Sequence, residues 1–299
     1  MLIVDAGQGA ERIATELPGV ERVLASMGLQ FTVVRVEAAE QSSVAAREAL
    51  LGGQRFIVAV GSDATVHHVV NGMLAEGMQA ASDAVLGVIS RGAPSDFVKT
   101  FGLPGDPVRA AAHLGGENLY PIDAGKVAYT ADDGASAERY FVNVAEAGLG
   151  GTIAARAARL PRSLGRSRRF LAFWLSLAAS RPATVMLSGD RRSWEGRVHN
   201  VLVANCQYYA GGVRISPRSW PADGYLDVLV MKGPRSDSFT ILPKAYRGEH
   251  LPHPNIVEYR SRRLQIEADR PLRVEADGQV LGTTPVSFEV LPQAIRLKV

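Results

Sequence analysis

The first third of the chain alternates between short, mostly apolar runs and segments whose apolar positions have helical spacing. Runs rich in Val and Ile are typical of strands that are buried on both faces. They are residues 2–4, 31–36, 56–60 and 85–89. The helical segments are residues 11–27, 43–51, 66–76 and 95–101. Alternating strands and helices predict a parallel sheet with helices on its faces.

The pattern changes near residue 120, where short strand-like segments begin to follow one another. Turn pairs separate several of them, among others Asp133-Gly134, Asp223-Gly224 and Asp277-Gly278. The segments are residues 119–128, 139–144, 184–187, 198–205, 226–231, 256–266, 272–275 and 286–290, with one helical stretch at 167–179. A run of short strands after a βα array predicts a second, all-β domain, of the sandwich type.

Composition places the chain among globular proteins. Of 299 residues, 46% are hydrophobic and 21% are charged, which is enough to form a core. The longest apolar run, residues 170–179, is too short to cross a bilayer. Because Cys206 is the single cysteine, an internal disulfide framework and a cysteine-rich zinc site are excluded. The first six residues have no basic stretch, so we expect no signal peptide.

Charge is unevenly distributed although the net charge is only +3. No acidic residue lies between Glu146 and Asp190. The same stretch contains Arg156, Arg159, Arg162, Arg166, Arg168, Arg169 and Arg181. Such a basic region attracts phosphate groups on nucleotides, acidic lipids or nucleic acid, and a solvated basic surface without a partner is the alternative.

Two loops with small and acidic residues follow the third and fourth predicted strands. Both lie at the carboxyl ends of parallel strands, where open α/β sheets bind ligands. Small residues and free helix N–H groups allow a phosphate to approach the backbone, but ordinary capped βα turns use the same residue types. The residues are Gly61, Ser62, Asp63, Ala64 and Thr65 in the first loop, and Gly92, Ala93 and Asp96 in the second.

These loops and later segments resemble the motifs of the diacylglycerol kinase and sphingosine kinase family of lipid kinases. Residues 58–73 read VAVGSDATVHHVVNGM and are similar to the family's GGDGT…EVVNGL loop. Residues 86–97 read LGVISRGAPSDF and are similar to LGIIPLGTGNDF. Further similar blocks follow in the family's order at residues 141–144, 205–212, 217–228 and 276–279. The resemblance covers nearly the whole chain.

The resemblance implies a fold of two domains and an activity. Residues 1–120 would form a Rossmann-like α/β domain that binds the nucleotide, residues 121–290 a β-sandwich on the lipid side, and residues 291–299 a strand that returns to the first domain. The implied activity is ATP-dependent phosphorylation of a lipid hydroxyl, on diacylglycerol or a sphingoid-like lipid, with ATP and Mg²⁺. We expect a cytoplasmic protein, leave a homodimer open, and see no nucleic-acid motif.

The resemblance also implies roles for individual residues. Asp63 and Thr65 would help to hold phosphate and magnesium, together with the rest of the two loops. Asp223 would be the side-chain ligand of a structural Mg²⁺, with the backbone carbonyls of Trp220 and Tyr225 beside it. One carboxylate and two carbonyls suit magnesium, which keeps several waters. A plain turn before a strand is the alternative, because Asp-Gly is a strong turn pair.

The segment from Arg156 to Trp174 contains several arginines, followed by an apolar stretch with helical spacing. Cations that meet anionic headgroups and an apolar face that meets acyl chains suit peripheral contact with a membrane. A helix that covers the sandwich and faces its core is the alternative.

Several positions depart from the family pattern. Ser62 and Ala64 replace glycines of the first loop, and Ala93 replaces the threonine of the second. Gln279 replaces the glutamate that serves the family as general base, and an amide cannot accept a proton at neutral pH. Asp277 is the nearest remaining carboxylate that could substitute. Two hypotheses follow: an active lipid kinase, or a protein that binds nucleotide or lipid without turnover.

Overall fold

The computed structural model describes residues 1–7, 10–90, 95–165 and 167–299. The chain divides into two compact units. The first is Met1–Ala124 together with Pro292–Val299, and the second is Gly125–Leu291. Within the described ranges, no helix combines the length and the apolarity that a membrane crossing requires.

The first unit contains a parallel sheet with helices in the connections. Its strands are β1 (Leu2–Asp5), β2 (Val33–Val36), β3 (Phe56–Gly61) and β4 (Val85–Ser90). Its helices are α1 (Ala10–Ser26), α2 (Gln41–Leu51), α3 (Asp63–Leu74), α4 (Met78–Ala81), α5 (Asp96–Phe101) and α6 (Pro107–His113). The predicted alternation of strand and helix is confirmed.

The order of strands in this sheet is β2-β1-β3-β4, all parallel. The last strand of the chain joins beside β4, where Arg296 and Leu297 pair in parallel with Val85 and Leu86. The chain leaves β1 toward one edge and then crosses back to β3 on its other side. That reversal is a topological switch point, and doubly wound sheets bind ligands beyond the carboxyl ends of the strands beside it. Asp5 and Gly61 end these two strands.

Burial explains why the apolar runs form the centre of this unit. In β3 every residue after Phe56 is buried, because helices cover both faces of the sheet. Helices α2 and α3 pack closely, since a Cβ on Gly72 would lie 2.1 Å from the carbonyl oxygen of Ser43. One cluster of the core consists of Leu2, Val4, Leu17, Val20, Leu24, Val58, Val60, Ile89, Ala110, Ala111 and Leu114.

The second unit is built mainly from antiparallel strands, and β5 (Leu119–Thr130) leads into it from the first unit. Its other strands are β6 (Ser136–Phe141), β7 (Val144–Gly148), β8 (Ala183–Gly189), β9 (Ser193–Val198), β10 (Asn200–Ala204), β11 (Leu226–Met231), β12 (Ile256–Ser261), β13 (Arg263–Ala268), β14 (Arg273–Ala276) and β15 (Gln279–Lys298). Its helices are α7 (Leu149–Arg159), α8 (Ser167–Ala179) and α9 (Ser238–Ala245).

The 20-residue strand β15 links the ladders of this unit. Its first residues pair with β14, and Val286 to Glu289 pair with β13. One ladder has the order β12-β11-β10-β7-β14-β15, and β13 continues through β8 to β9. The buried cluster between these strands includes Phe141 and Phe288, whose rings meet edge to face at 6.2 Å. The fold class, an α/β domain followed by a β-sandwich-like domain, is confirmed.

The structure differs from the sequence prediction in local detail. Helices α7 and α9 were not predicted. The first begins with Leu149-Gly150-Gly151 and the second contains Pro243, and glycine and proline both disfavour helices. The predicted strand at residues 256–266 is two strands that separate at Arg262. Packing against the sandwich stabilises helices whose intrinsic propensity is weak.

Gly125 gives a test of packing in the second unit. A Cβ at this position would lie 2.1 Å from ring atoms of the buried Phe141, which is paired across the ladder. We expect Gly125→Ala to lower the free energy of unfolding by about 1–3 kcal/mol, because the buried ring cannot move without disturbing its neighbours. Gly105→Ala is the control, since a Cβ there has no atom within 4 Å. Equal stability of the two variants in urea denaturation would contradict this packing.

Candidate functional site

The carboxyl end of β1 and the start of α3 are joined by a buried hydrogen bond. Thr65 Oγ1 donates to Asp5 Oδ2 at 3.0 Å and accepts from the N–H of Ser62 at 3.2 Å. Thr65 is fully buried. Gly61 leaves the space for this arrangement, because a Cβ there would lie 2.2 Å from Thr65 Oγ1. The Thr65 hydroxyl therefore holds the first loop against β1.

Asp63, the first residue of α3, connects this loop to the loop after β4. Its carboxylate accepts from the Ser95 hydroxyl, from the N–H of Asp96 at 2.9 Å and from the N–H of Phe97 at 3.2 Å. Asp63 thus caps the first turn of α5 from another part of the chain, where backbone N–H groups lack partners within the helix. The end of β1 and the starts of α3 and α5 therefore form one connected edge.

The other residues of the predicted nucleotide loops differ in accessibility. Ser62 is exposed and Ala64 is half-buried, whereas Asp96 is buried. Gly92 and Ala93 lie outside the described residues. Ser62 is therefore the exposed residue of this edge, and it stands at the start of α3, where the positive end of the helix dipole favours an anion.

The second unit contains the turn that carries the predicted acceptor residues. Asp277 and Gly278 have φ angles of 49° and 82° and join β14 to β15, as in a type I′ hairpin. The Asp277 carboxylate accepts from the N–H groups of Val142, Asn143 and Val144 at 2.9–3.2 Å. It therefore fastens the hairpin to the segment before β7.

Gln279 follows this turn as the first residue of β15. It is half-buried and pairs with Ala276 across the hairpin. Nη2 of Arg169, on α8, lies 3.3 Å from the position of a Cβ on Gly278. The hairpin that carries Gln279 is thus rigidly held and has an arginine beside its turn.

Two buried glutamates that the sequence analysis did not single out face each other beside this hairpin. Glu146 of β7 and Glu275 of β14 are paired directly across the ladder. The Tyr209 hydroxyl lies 2.7 Å from Glu146 Oε1 and 2.5 Å from Glu275 Oε1, and Asn200 donates to Glu146 Oε2 at 2.5 Å. The sequence contained a signal for these two residues, because each glutamate interrupts an apolar strand at an inward position.

The geometry requires a proton on this pair. A hydroxyl has a single hydrogen, so Tyr209 donates to one carboxylate and must accept a hydrogen bond from the other carboxyl group, which therefore keeps its proton. Burial raises the pKa of Glu146, and burial together with the charge of Glu146 raises the pKa of Glu275 well above its usual range. Among the residues that the structure describes, Glu275 Oε2 has no hydrogen-bond partner. Two negative charges that face each other in a buried site would be costly, so the pair keeps a proton to higher pH than an exposed glutamate does.

Two of the three predicted magnesium ligands, the Asp223 carboxylate and the Trp220 carbonyl, are already paired with protein groups. Asp223 Oδ1 accepts from the N–H of Tyr225 at 3.0 Å, and Oδ2 lies 3.2 Å from Nη1 of Arg260. Nε of Arg260 also lies 3.3 Å from Asp227 Oδ1. The carbonyl of Trp220 accepts N–H groups of its own turn. The guanidinium therefore supplies the positive charge at these carboxylates, and the residues do not fit a bound metal in this arrangement. Across the part of the chain that the structure describes, no group of three or more His, Cys, Asp or Glu residues could hold a metal ion.

Comparison with known families assigns both halves of the chain. Residues 1–127 match the diacylglycerol kinase catalytic domain. Residues 143–299 match the YegS C-terminal NAD kinase beta sandwich-like domain. The chain belongs to the diacylglycerol kinase family of lipid kinases. The resemblance read from its motifs is confirmed.

Relatives of this lipid kinase family member cover nearly its full length. A diacylglycerol kinase of Bacillus subtilis is 26% identical over 96% of this chain and 91% of the relative. A probable YegS-like lipid kinase of Pseudomonas putida is 28% identical over 84% of this chain and 79% of the relative. The crystal structure of a diacylglycerol kinase from Bacillus anthracis has a TM-score of 0.74 at 23% identity and covers 99% of this chain and 95% of that one, which supports the fold.

The shared proton of Glu146 and Glu275 makes stability depend on pH. Unfolded glutamate ionises near pH 4.5, but the folded pair keeps its proton to higher pH, so stability falls as pH rises above that value. Each proton that the folded protein retains lowers the free energy of unfolding by about 1.4 kcal/mol per pH unit in this range. We expect Glu275→Gln, which resembles the protonated acid, to be more stable than the parent at pH 8 and to show a flatter profile between pH 5 and pH 8. Urea denaturation measures both.

Glu267→Gln is the control for this profile, because Glu267 is exposed on β13. It should leave the pH dependence unchanged. Parallel profiles for Glu275→Gln and the parent would mean that no proton is held at this pair.

Because Arg260 pairs with Asp223 and Asp227 where a metal ion was expected, we predict that stability does not depend on a divalent cation. Chelation of divalent ions with EDTA should leave the melting temperature unchanged. Arg260→Ala should lower stability by about 1 kcal/mol at most, because the pair is partly exposed and screened by solvent. Millimolar Mg²⁺ should then restore part of the loss, since two carboxylates are left without a cation. Arg247→Ala, which removes an exposed partner of Glu249, is the control without a Mg²⁺ response. A parent protein that melts earlier in EDTA would contradict the assignment.

Proposed function

We propose that the protein transfers the γ-phosphate of ATP to the hydroxyl of a membrane lipid. Diacylglycerol is the first candidate acceptor because several relatives are named for it. The observation that carries the proposal is the connected edge at the switch point, where Asp63 and Thr65 join the end of β1 to the starts of α3 and α5. Phosphoryl transfer depends mostly on positioning and charge neutralisation, which such an edge can supply.

In this proposal the nucleotide phosphates lie over the start of α3. The N–H of Ser62 is donated to Thr65 Oγ1, so the backbone N–H groups at the start of α3, among them that of Ala64, would bind the phosphate oxygens. Asp63 and Thr65 act as positioning residues, because their side chains are engaged with Ser95 and Asp5. Mg²⁺ that accompanies ATP would neutralise phosphate charge during transfer.

On the acceptor side, the proposal gives Asp277 and Gln279 different tasks. The Asp277 carboxylate is engaged by three backbone N–H groups, so it positions the hairpin and is not retained as the substitute base. Gln279 can hydrogen-bond the lipid hydroxyl but cannot take its proton. The lipid oxygen forms the new bond to phosphorus, ADP leaves, and the proton passes to the transferred phosphate or to water.

A protein that binds nucleotide or lipid without turnover is the second candidate. The specific observation in its favour is Gln279 at the position of the general base, together with the engagement of Asp277. Both candidates would act as peripheral proteins at the cytoplasmic surface of a membrane, where ATP is available. A measurement of phosphate transfer distinguishes the kinase from the protein that only binds.

The test is transfer of labelled phosphate from ATP to diacylglycerol in mixed micelles with Mg²⁺. We expect slow but measurable turnover in the parent. Gln279→Glu should raise the rate by about 10²–10⁴-fold, since a positioned general base contributes that much. Gln54→Glu, which adds the same charge at an exposed loop of the first unit, should leave the rate unchanged.

Absence of turnover in both the parent and Gln279→Glu would overturn the kinase proposal. Stabilisation of such an inactive protein by ATP in a thermal shift would then favour the binding function, because a ligand of the native state raises the melting temperature. A parent that turns over as fast as Gln279→Glu would contradict the role given to Gln279.

A further inference from the structure

Helix α8 exposes apolar side chains on one side and buries small ones on the other. Phe170 is 65% exposed, and Leu171 and Leu175 are also exposed. Ala172, Ser176 and Leu177 are buried toward the second unit. An amphipathic helix normally presents polar residues to water, so this outward apolar face needs a partner.

Helix α9 extends the same apolar surface. Phe239 is 63% exposed, and its ring lies 5.0 Å from that of Trp174 between centroids. Trp174 in turn contacts Phe170 edge to face at 6.0 Å. The Arg235 guanidinium donates to the carbonyl of Ala178 and ties the start of α9 to the end of α8. We name the set Phe170, Leu171, Trp174, Leu175 and Phe239 the α8–α9 surface.

Positive charge accompanies this surface. Exposed cations on α7, α8, α9 and the segment after α8 are Arg159, Arg169, Arg181 and Lys244. No acidic residue occurs in the sequence between Glu146 and Asp190, so α7 and α8 carry no acidic side chain of their own. Exposed aromatic rings together with arginines on helices without acidic residues match the two layers of a bilayer surface, which are acyl chains and anionic headgroups.

We propose that the α8–α9 surface docks on a bilayer that contains anionic phospholipids. The aromatic side chains enter the boundary between headgroups and acyl chains, and the arginines bind lipid phosphates. The 13-residue helix α8 lies along the surface, because it is too short to cross. A second copy of this chain would carry the same positive charge, so charge complementarity favours the bilayer.

Docking places the acceptor hairpin beside the lipid. Arg169 belongs to α8, and its guanidinium lies next to the Asp277-Gly278 turn that precedes Gln279. A lipid hydroxyl is held at the headgroup boundary, so a protein that phosphorylates it must bring its acceptor residues to that boundary. This use of the surface rests on the proposed function, whereas binding to vesicles does not.

The test is sedimentation with vesicles of phosphatidylcholine and of phosphatidylcholine with phosphatidylglycerol, without ATP. The parent should bind the anionic vesicles and lose binding at high salt, because surface charge is screened. Phe170→Ser with Phe239→Ser should weaken binding about tenfold or more, as should Arg159→Glu with Arg181→Glu. The controls are Leu51→Ser, at a residue that is 66% exposed in the first unit, and Arg191→Glu in the β8–β9 turn.

Failure of the parent to bind anionic vesicles, or equal binding by parent and variants, would overturn the proposal. So would a dimer that dissociates in Phe170→Ser with Phe239→Ser while vesicle binding is unchanged, because the surface would then contact a second copy. A turnover assay with a short-chain, dispersed diacylglycerol keeps the two proposals apart. The aromatic variant should keep its rate there and lose it on vesicles, whereas an inactive parent that still binds vesicles would contradict only the kinase proposal.

Discussion

A carboxylate that leaves water must receive hydrogen bonds or be neutralised, and the arrangement of this protein depends on that constraint. Asp63 and Asp277 satisfy it in the same way, each by accepting N–H groups from a neighbouring segment. The hydrogen bonds that offset the cost of desolvation also join segments that are far apart in sequence. In the first unit this brings two loops to one edge, and in the second it fixes a hairpin. Rigid support of this kind is what phosphoryl transfer requires of a protein.

The other acidic groups satisfy the constraint by neutralisation. Glu146 and Glu275 are opposite each other across the ladder and share the single hydrogen of the Tyr209 hydroxyl, so one carboxyl group keeps its proton. Asp223 and Asp227 share the guanidinium of Arg260 where a bound metal was expected. An acidic side chain in a strand or turn of the second unit is therefore not by itself evidence of a metal ligand or a catalytic base.

The departures from the family motifs have unequal consequences in this framework. Ser62 and Ala64 add side chains at a loop whose backbone remains held by Thr65. These side chains leave less room for a ligand to approach the loop backbone. They do not remove the hydrogen bonds that connect the loop to β1. Gln279 instead removes a chemical capacity, because no rearrangement turns an amide into a proton acceptor. The fold and the positioning residues therefore persist while the rate of the chemical step is expected to be lower.

Sequence alone determined the two-domain architecture and the family, because buried strands, helical spacing and ordered motifs are local patterns. It also located Asp63 and Asp277, which turn chemistry marks. Only the tertiary structure decided what these carboxylates contact, since their donors come from segments 32 to 135 positions away. The pairing of Glu146 with Glu275 and the stacking of Trp174 on Phe239 were equally invisible, because each joins residues that are brought together only by packing.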